Sequence, residues 1–450
     1  MRAAVGLVLV LAACYSPSPA VGIPCSPEGR CPSGQSCDMT QTPPVCVGAL
    51  ADAAVDTVDA FEGCMTNADC TGVNSPVCDQ TTHKCRGCTA DLECDAVCTE
   101  YNGECVSDSR AVFFSATGND GSNNCMRSMP CKTWNRVATE INANKRTVVV
   151  LDGSFSSSGS PVISLTTTGG RIVISGTDNN PDGAFMTAMS NGTTNPQVIN
   201  IGSSTDVVLE GFTVRNGGND GVRNSGDLLL YRMAITNNQG TGVSSNVSNM
   251  AALHIWESAI TLNKQEGINA QKGPVEILRS YIAQNTQVGI ILAQAASTLT
   301  NDIIVRNGVS SPNGGIRIQQ INGLAQNLSF LTIAYNTAGG SSIAGLSSDQ
   351  TVAISSSILY ENNNTSTGVD QMCSGCTATF SLFSGTVPIG MNNIGGDPLF
   401  VDTATDDFHL MPTSPAKDAA DSATTVRIDY DGNPRPAGTG FDIGADELLP

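Results

Sequence analysis

The amino-acid sequence predicts an all-β chain whose larger part is a solenoid, a parallel β-helix. Three observations predict it. A unit of 21 to 29 residues repeats seven times, anchored at Val214, Ile235, Ile260, Ile282, Ile304, Ile333 and Leu359. Each anchor follows an apolar pair spaced two apart, as in Leu228/Leu230, Leu253/Ile255 and Val275/Ile277. Three residues after the anchor stands Gly217, then Asn238, Asn263, Asn285, Asn307, Asn336 and Asn362.

Apolar residues two apart mark a strand with one buried face. A short apolar step led by glycine closes most units, at Val222, Val243, Ile268, Ile290, Ile316 and Val369. Strands this short bury no core alone and must stack on their neighbours, roughly 4.8 Å apart. The units are too short for propeller blades and lack a helical period or a leucine-rich consensus. The recurring asparagine tolerates left-handed backbone and bonds through its amide, so it suits a turn; stacked coil on coil, it forms a ladder.

At the N-terminal end, Trp134, Val137, Ala138 and Ile141 fall on one helical face, with Thr133 as cap. Such a helix hides the first coil's open edge. The start Phe113-Phe114-Ser115-Ala116-Thr117-Gly118-Asn119-Asp120 precedes it, with Pro130-Cys131-Lys132-Thr133 next to it. The end carries Gly396-Asp397-Pro398-Leu399-Phe400, Phe408-His409-Leu410, Ser414-Pro415-Ala416, Asp431-Gly432-Asn433-Pro434-Arg435 and Asp442-Ile443-Gly444-Ala445-Asp446-Glu447. On these segments and the repeat, roughly residues 111 to 450 resemble the right-handed parallel β-helix family that includes pectate lyases. The last segment is similar to that of exported bacterial proteins of the choice-of-anchor type. Ala420 departs from that pattern, which has glycine there, and leaves the local turn open.

Arg2, the apolar run Val5 to Leu11 and the box Leu11-Ala12-Ala13-Cys14 read as an export signal of lipoprotein type, with Cys14 as the lipidated residue; ordinary secretion is the other reading. Setting Cys14 aside leaves 16 of the 17 cysteines, and each cluster is even. Four lie between Cys25 and Cys46 and eight between Cys64 and Cys105, while Cys125 and Cys131 form one nearby pair and Cys373 and Cys376 another. Exported segments with few aliphatic residues depend on disulfides. A zinc site at Cys85, Cys88, Cys94 and Cys98 is the alternative. The expected partition is a signal peptide at 1–13, a Cys-rich segment at 14–47 and an acidic Ala/Asp linker at 48–63. A Cys-rich module at 64–106, the β-helix at 111–395 and its C-terminal segment at 396–450 follow. Linkers alternating with Cys-rich knots resemble those of myxobacterial lipoproteins.

The net charge of −19 disfavours nucleic acid and anionic membrane as partners. The lipid is then the expected membrane contact, at the outer membrane or cell surface, and a monomer is expected. Of three histidines, His254 alone lies in the repeat, and its seven coils hold no Asp-Asp pair. The usual residues of β-helix hydrolases are therefore missing. Asp178 to Gly183 opens like an EF-hand loop, but Met189 stands where a bidentate Glu is needed. No cofactor is expected, with calcium a weak alternative.

The repeat sorts side chains into columns. Tyr231 and Trp256 stand four before the anchor, Arg232, Glu257 and Arg279 three before, His254 and Glu276 six before. An Arg-Glu-Arg column is a structural charge ladder; with the aromatic rings it is also a candidate glycan-binding patch. A catalytic use would draw on Glu257, Glu276 and Arg279. The expected function is thus a surface-displayed structural, adhesive or glycan-binding protein; a polysaccharide lyase or hydrolase is the alternative.

Overall fold

The computed structural model describes the chain except residues 1–34, 39–44, 49–62, 95, 122–123, 145, 159, 177–184, 190–196, 248–250, 310–312, 341 and 367–372. Cys14, Cys25, Cys31, the segment from Asp178 to Gly183 and Gly368-Val369 lie outside the described residues. The chain forms two units, Met1–Glu62 and Gly63–Pro450. In the first, the strands Gln35–Asp38 and Val45–Gly48 pair antiparallel, with Cys37 opposite Cys46.

The second unit is a parallel β-solenoid with three walls. In the first wall Asp227–Tyr231, Leu253–Trp256, Pro274–Leu278, Ala296–Thr300 and Gln326–Ser329 stack in parallel register. The second is an 11-stranded sheet holding all seven anchors, each fully buried. The third carries Val222, Val243, Ile268, Ile290, Ile316 and Leu346 in one column. Ile199–Glu210 and Leu346–Ser355 each run through a corner and link the first wall to the third. In the seventh coil Cys373 stands opposite Leu346, four residues beyond the Val369 that the repeat implies.

Two polar ladders run inside the apolar core. Asn238 Nδ2 donates to Asn263 Oδ1 at 2.9 Å, and the same bond recurs from Asn263 to Asn285, Asn307, Asn336 and Asn362. Each Oδ1 also accepts the backbone N–H of the preceding asparagine, and these side chains are fully buried. The left-handed residue is the one before the asparagine: Asn237, Leu262, Gln284, Arg306, Tyr335 and Glu361 have φ between 47° and 58°. The asparagine serves the ladder and its neighbour makes the turn, contrary to the turn role read from the sequence. The glycine of the third-wall step has the same cause, since a Cβ on Gly242 would meet Asn263 Nδ2 at 2.7 Å. The second ladder, two before the anchor, is Ser258, Ser280 and Asp302, with Ser357 and Ser381 further on. Burial pushes the Asp302 carboxyl well above the usual carboxylate range.

The helix Trp134–Asn144 closes the N-terminal end, with Trp134, Val137 and Ile141 buried against Phe114, Phe155 and Leu165. Thr133 does not stand alone at its start: Asp120 Oδ1 accepts the N–H of Lys132 and of Thr133 at 2.7 and 3.1 Å. Disulfides join Cys64–Cys78, Cys70–Cys85, Cys88–Cys98, Cys94–Cys105 and Cys125–Cys131. Three of them consume the Cys85, Cys88, Cys94 and Cys98 thiols, which removes the zinc alternative. Cys376 is also disulfide-bonded, and the side chain of Cys373 lies outside the described residues.

The disulfide-rich module packs on the solenoid. Val97 and Val106, with Tyr101, cover Val148, Val150, Val173, Val208 and Leu229 on the outside of the first wall. The C-terminal segment likewise covers the outside of the second wall, where Phe400, Phe408, Leu410 and Ile443 meet Ile303, Val305, Ala334 and Ile358. A strand covered on both faces reads as a continuous apolar run. Val148-Val149-Val150-Leu151, Leu228-Leu229-Leu230 and Ile303-Ile304-Val305 are such runs. Ala420 is tolerated because the left-handed residue of that turn is Asp418, with φ 56°.

Candidate functional site

The first wall changes character after Leu230. Leu253-His254-Ile255-Trp256 alternates, and its burial alternates with it: Leu253 and Ile255 are in the core, His254 and Trp256 half-exposed. The apolar cover ends here and an open wall begins. The next strands carry Glu276 and Leu278, then Thr298 and Thr300, then Asn327 and Ser329 outward. Further along the same wall a cleft of about 430 Å³ lies between Asn327, Ser329 and Ser355 on one side and Asp421 to Val426 of the C-terminal segment on the other.

Glu276 organises the start of this wall. His254 Nδ1 lies 2.9 Å from Glu276 Oε2, and Trp256 Nε1–H donates to the same oxygen at 3.0 Å. The two rings meet edge to face with centroids 5.6 Å apart. Their rotamers are therefore fixed before any ligand arrives, and His254 Nε2 is the nitrogen left to face one.

Arg232, Glu257 and Arg279 occupy the corner beside it, each left-handed with φ of 51°, 49° and 49°. Glu257 Oε2 accepts from Arg232 Nε at 2.9 Å and Oε1 from Arg279 Nη2. Arg232 Nη1 donates onward to Glu100 Oε2 of the disulfide-rich module at 3.0 Å. The column is thus a neutralising chain of ion pairs that also ties the module to the wall. Tyr231 is packed against the module's apolar contact, with the Arg232 guanidinium 5.2 Å from its ring centre. Sequence reading grouped seven residues in one patch; the structure divides them. Tyr231, Arg232, Glu257 and Arg279 serve the junction, His254 and Glu276 face outward, and half-exposed Trp256 stands between them, one side packed on the junction's apolar cluster.

Glu210, which the sequence reading did not single out, lies at the same junction. It is 1% exposed and accepts the Tyr101 N–H at 3.0 Å. Burial pushes its carboxyl up to about 7. Its signal was legible, since it stands four before its anchor, in the column of Tyr231 and Trp256.

No family model matches this chain, and no curated protein matches it. Among solved structures it is similar to the pectate lyase Pel9A, at a TM-score of 0.49 and 15% sequence identity, over 75% of this chain and 96% of that one. At that level the likeness concerns the course of the backbone and carries no argument about residues.

Proposed function

We propose that this chain is an exported, surface-displayed β-solenoid that binds glycan on the open first wall, and that an N-terminal lipid on Cys14 holds it at the membrane. The reading rests most on one observation, the half-exposed Trp256 and His254 locked by Glu276 at the head of a wall lined by Thr298, Thr300, Asn327 and Ser329. A fixed aromatic face suits the apolar side of a sugar ring, and hydroxyl and amide side chains suit its hydroxyls. Export is supported by the signal-like N-terminus and the disulfides. Among the described residues no helix is long and apolar enough to cross a membrane.

The enzymatic alternative would use Glu257, Glu276 and Arg279. Glu257 has both oxygens on arginines and Glu276 holds two rings, which favours recognition over proton transfer. A glycan array and a polysaccharide depolymerisation screen, each with and without calcium, separate the readings. Binding without product release is expected, weakened at least about tenfold (about 1.4 kcal/mol) by Trp256→Ala. Product release abolished by Glu257→Gln would overturn the binding reading, and absence of any glycan affected by Trp256→Ala would leave an architectural role.

A further inference from the structure

The C-terminal segment brings together side chains that neither the solenoid repeat nor the open wall uses. His409 stands on the strand Asp407–Leu410, Asp431 in the turn after Tyr430, and Asp446 near the end of the chain. One ligand atom from each of the three lies within 4.8 Å of the others. His409 Nε2 is 2.7 Å from Asp431 Oδ2, and His409 Nδ1 is 2.5 Å from Asp407 Oδ1.

We propose that His409, Asp431 and Asp446 form a binding site for a divalent transition-metal ion of the zinc type. Asp407 holds Nδ1–H, which fixes the tautomer and aims Nε2 at the two other carboxylates. A carboxylate behind a ligating histidine is the usual outer partner at such sites. One imidazole and two carboxylates, with a position open to solvent, match the donor set of a three-ligand zinc site, and the imidazole disfavours calcium or magnesium. Donors on one tetrahedral ion stand about 3.4 Å apart, given bonds of about 2.0 to 2.2 Å. The 2.7 Å between His409 Nε2 and Asp431 Oδ2 and the upper bound of 4.8 Å over the three donors bracket that value. Charge argues the same way, since three carboxylates surround one imidazole and a dication balances them better than a single proton.

The platform beneath is rigid. Asp446 is 6% exposed and its Oδ2 accepts the Leu410 N–H at 2.8 Å. Asp429, fully buried, accepts the N–H groups of Asn433 and Glu447 and so fixes the turn holding Asp431 to the strand end holding Asp446. Buried Arg435 binds Glu447 and the carbonyls of Asp442, Gly444 and Ala445. A bound ion would staple three segments of the chain end.

The test is calorimetric titration of the full-length, oxidised chain with zinc after chelator treatment, with cobalt absorption as a second readout. Wild type is expected to take up an ion that His409→Gln does not, with affinity reduced 10- to 100-fold in Asp407→Asn. His83→Gln, in the disulfide-rich module, is expected to bind zinc as wild type. Equal zinc binding by wild type and His409→Gln would overturn the proposal. So would copper-loaded wild type whose spin-resonance spectrum lacks coupling to an imidazole nitrogen, a measurement that does not depend on any variant folding.

Discussion

At the scale of single residues, the asparagine ladder is where sequence pattern and structural role coincide most closely. Asn285 accepts from the N–H and Nδ2 of Asn263 at 3.1 and 2.9 Å, and donates to Ile260 O and Asn307 Oδ1, both at 2.9 Å. Replacing it with alanine leaves these buried groups unpaired, each costing about 1–3 kcal/mol. Asn285→Ala is expected to lose about 2–4 kcal/mol, read as a lower urea midpoint. The ladder was legible because six asparagines share one register. The residue before each was not, since Leu262, Gln284, Arg306, Tyr335 and Glu361 share no chemistry. Their common property is a backbone angle, which leaves no side-chain signature. Leu262 is 42% exposed and held at φ 58°. A branched side chain pays for that conformation more than asparagine does. Leu262→Asn is expected to raise stability by about 0.5–1 kcal/mol, seen as a higher melting temperature.

At the scale of elements, strand pattern reports what covers each wall. Where three apolar residues run together, as in Leu228-Leu229-Leu230, the strand is buried on both faces; where they alternate, as in Leu253-His254-Ile255-Trp256, one face is open. The position of the candidate site follows from that switch. The identity of the cover does not, because the valines of the disulfide-rich module show no period that points to the first wall. The seventh coil shows the limit of the repeat: Cys373 stands in the third-wall column, four residues beyond the Val369 that the period implies. Variable turns leave the register to be set by pairing of the strands themselves.

At the scale of the whole molecule, the module joins the solenoid through apolar contact, the chain Glu100–Arg232–Glu257–Arg279 and the buried Glu210. Glu100 and Tyr101 face Glu210, with Ser175 beside it, and Glu104, Arg171, Tyr231, Arg232, Glu257 and Arg279 are further titratable groups around this junction. Burial raises the Glu210 carboxyl from 4.5 to about 7 in the folded chain. The folded state therefore holds its proton more tightly than the unfolded chain. The stability it contributes is present below about 4.5 and is lost as pH rises through about 7, by an amount on the order of 3 kcal/mol. Glu210→Gln keeps an acceptor for the Tyr101 N–H. It is expected to flatten this part of the stability profile, measured by urea unfolding at a series of pH values from 4 to 8, and to stabilise the chain most at the upper end.

The sequence by itself determined the solenoid, its interior columns and its asparagine ladder, because a period of two within a period of 21 to 29 residues fixes which side chains point inward. It also brought His254, Trp256 and Glu276 into one neighbourhood. Only the tertiary structure decided which of the seven patch residues stay open, because that depends on the module and the C-terminal segment folding back on the walls. Arg232 meets Glu100 across 132 residues, and His409 meets Asp431 across 22. Contacts of that kind are set by packing and charge between segments with no shared period, so no local pattern announces them.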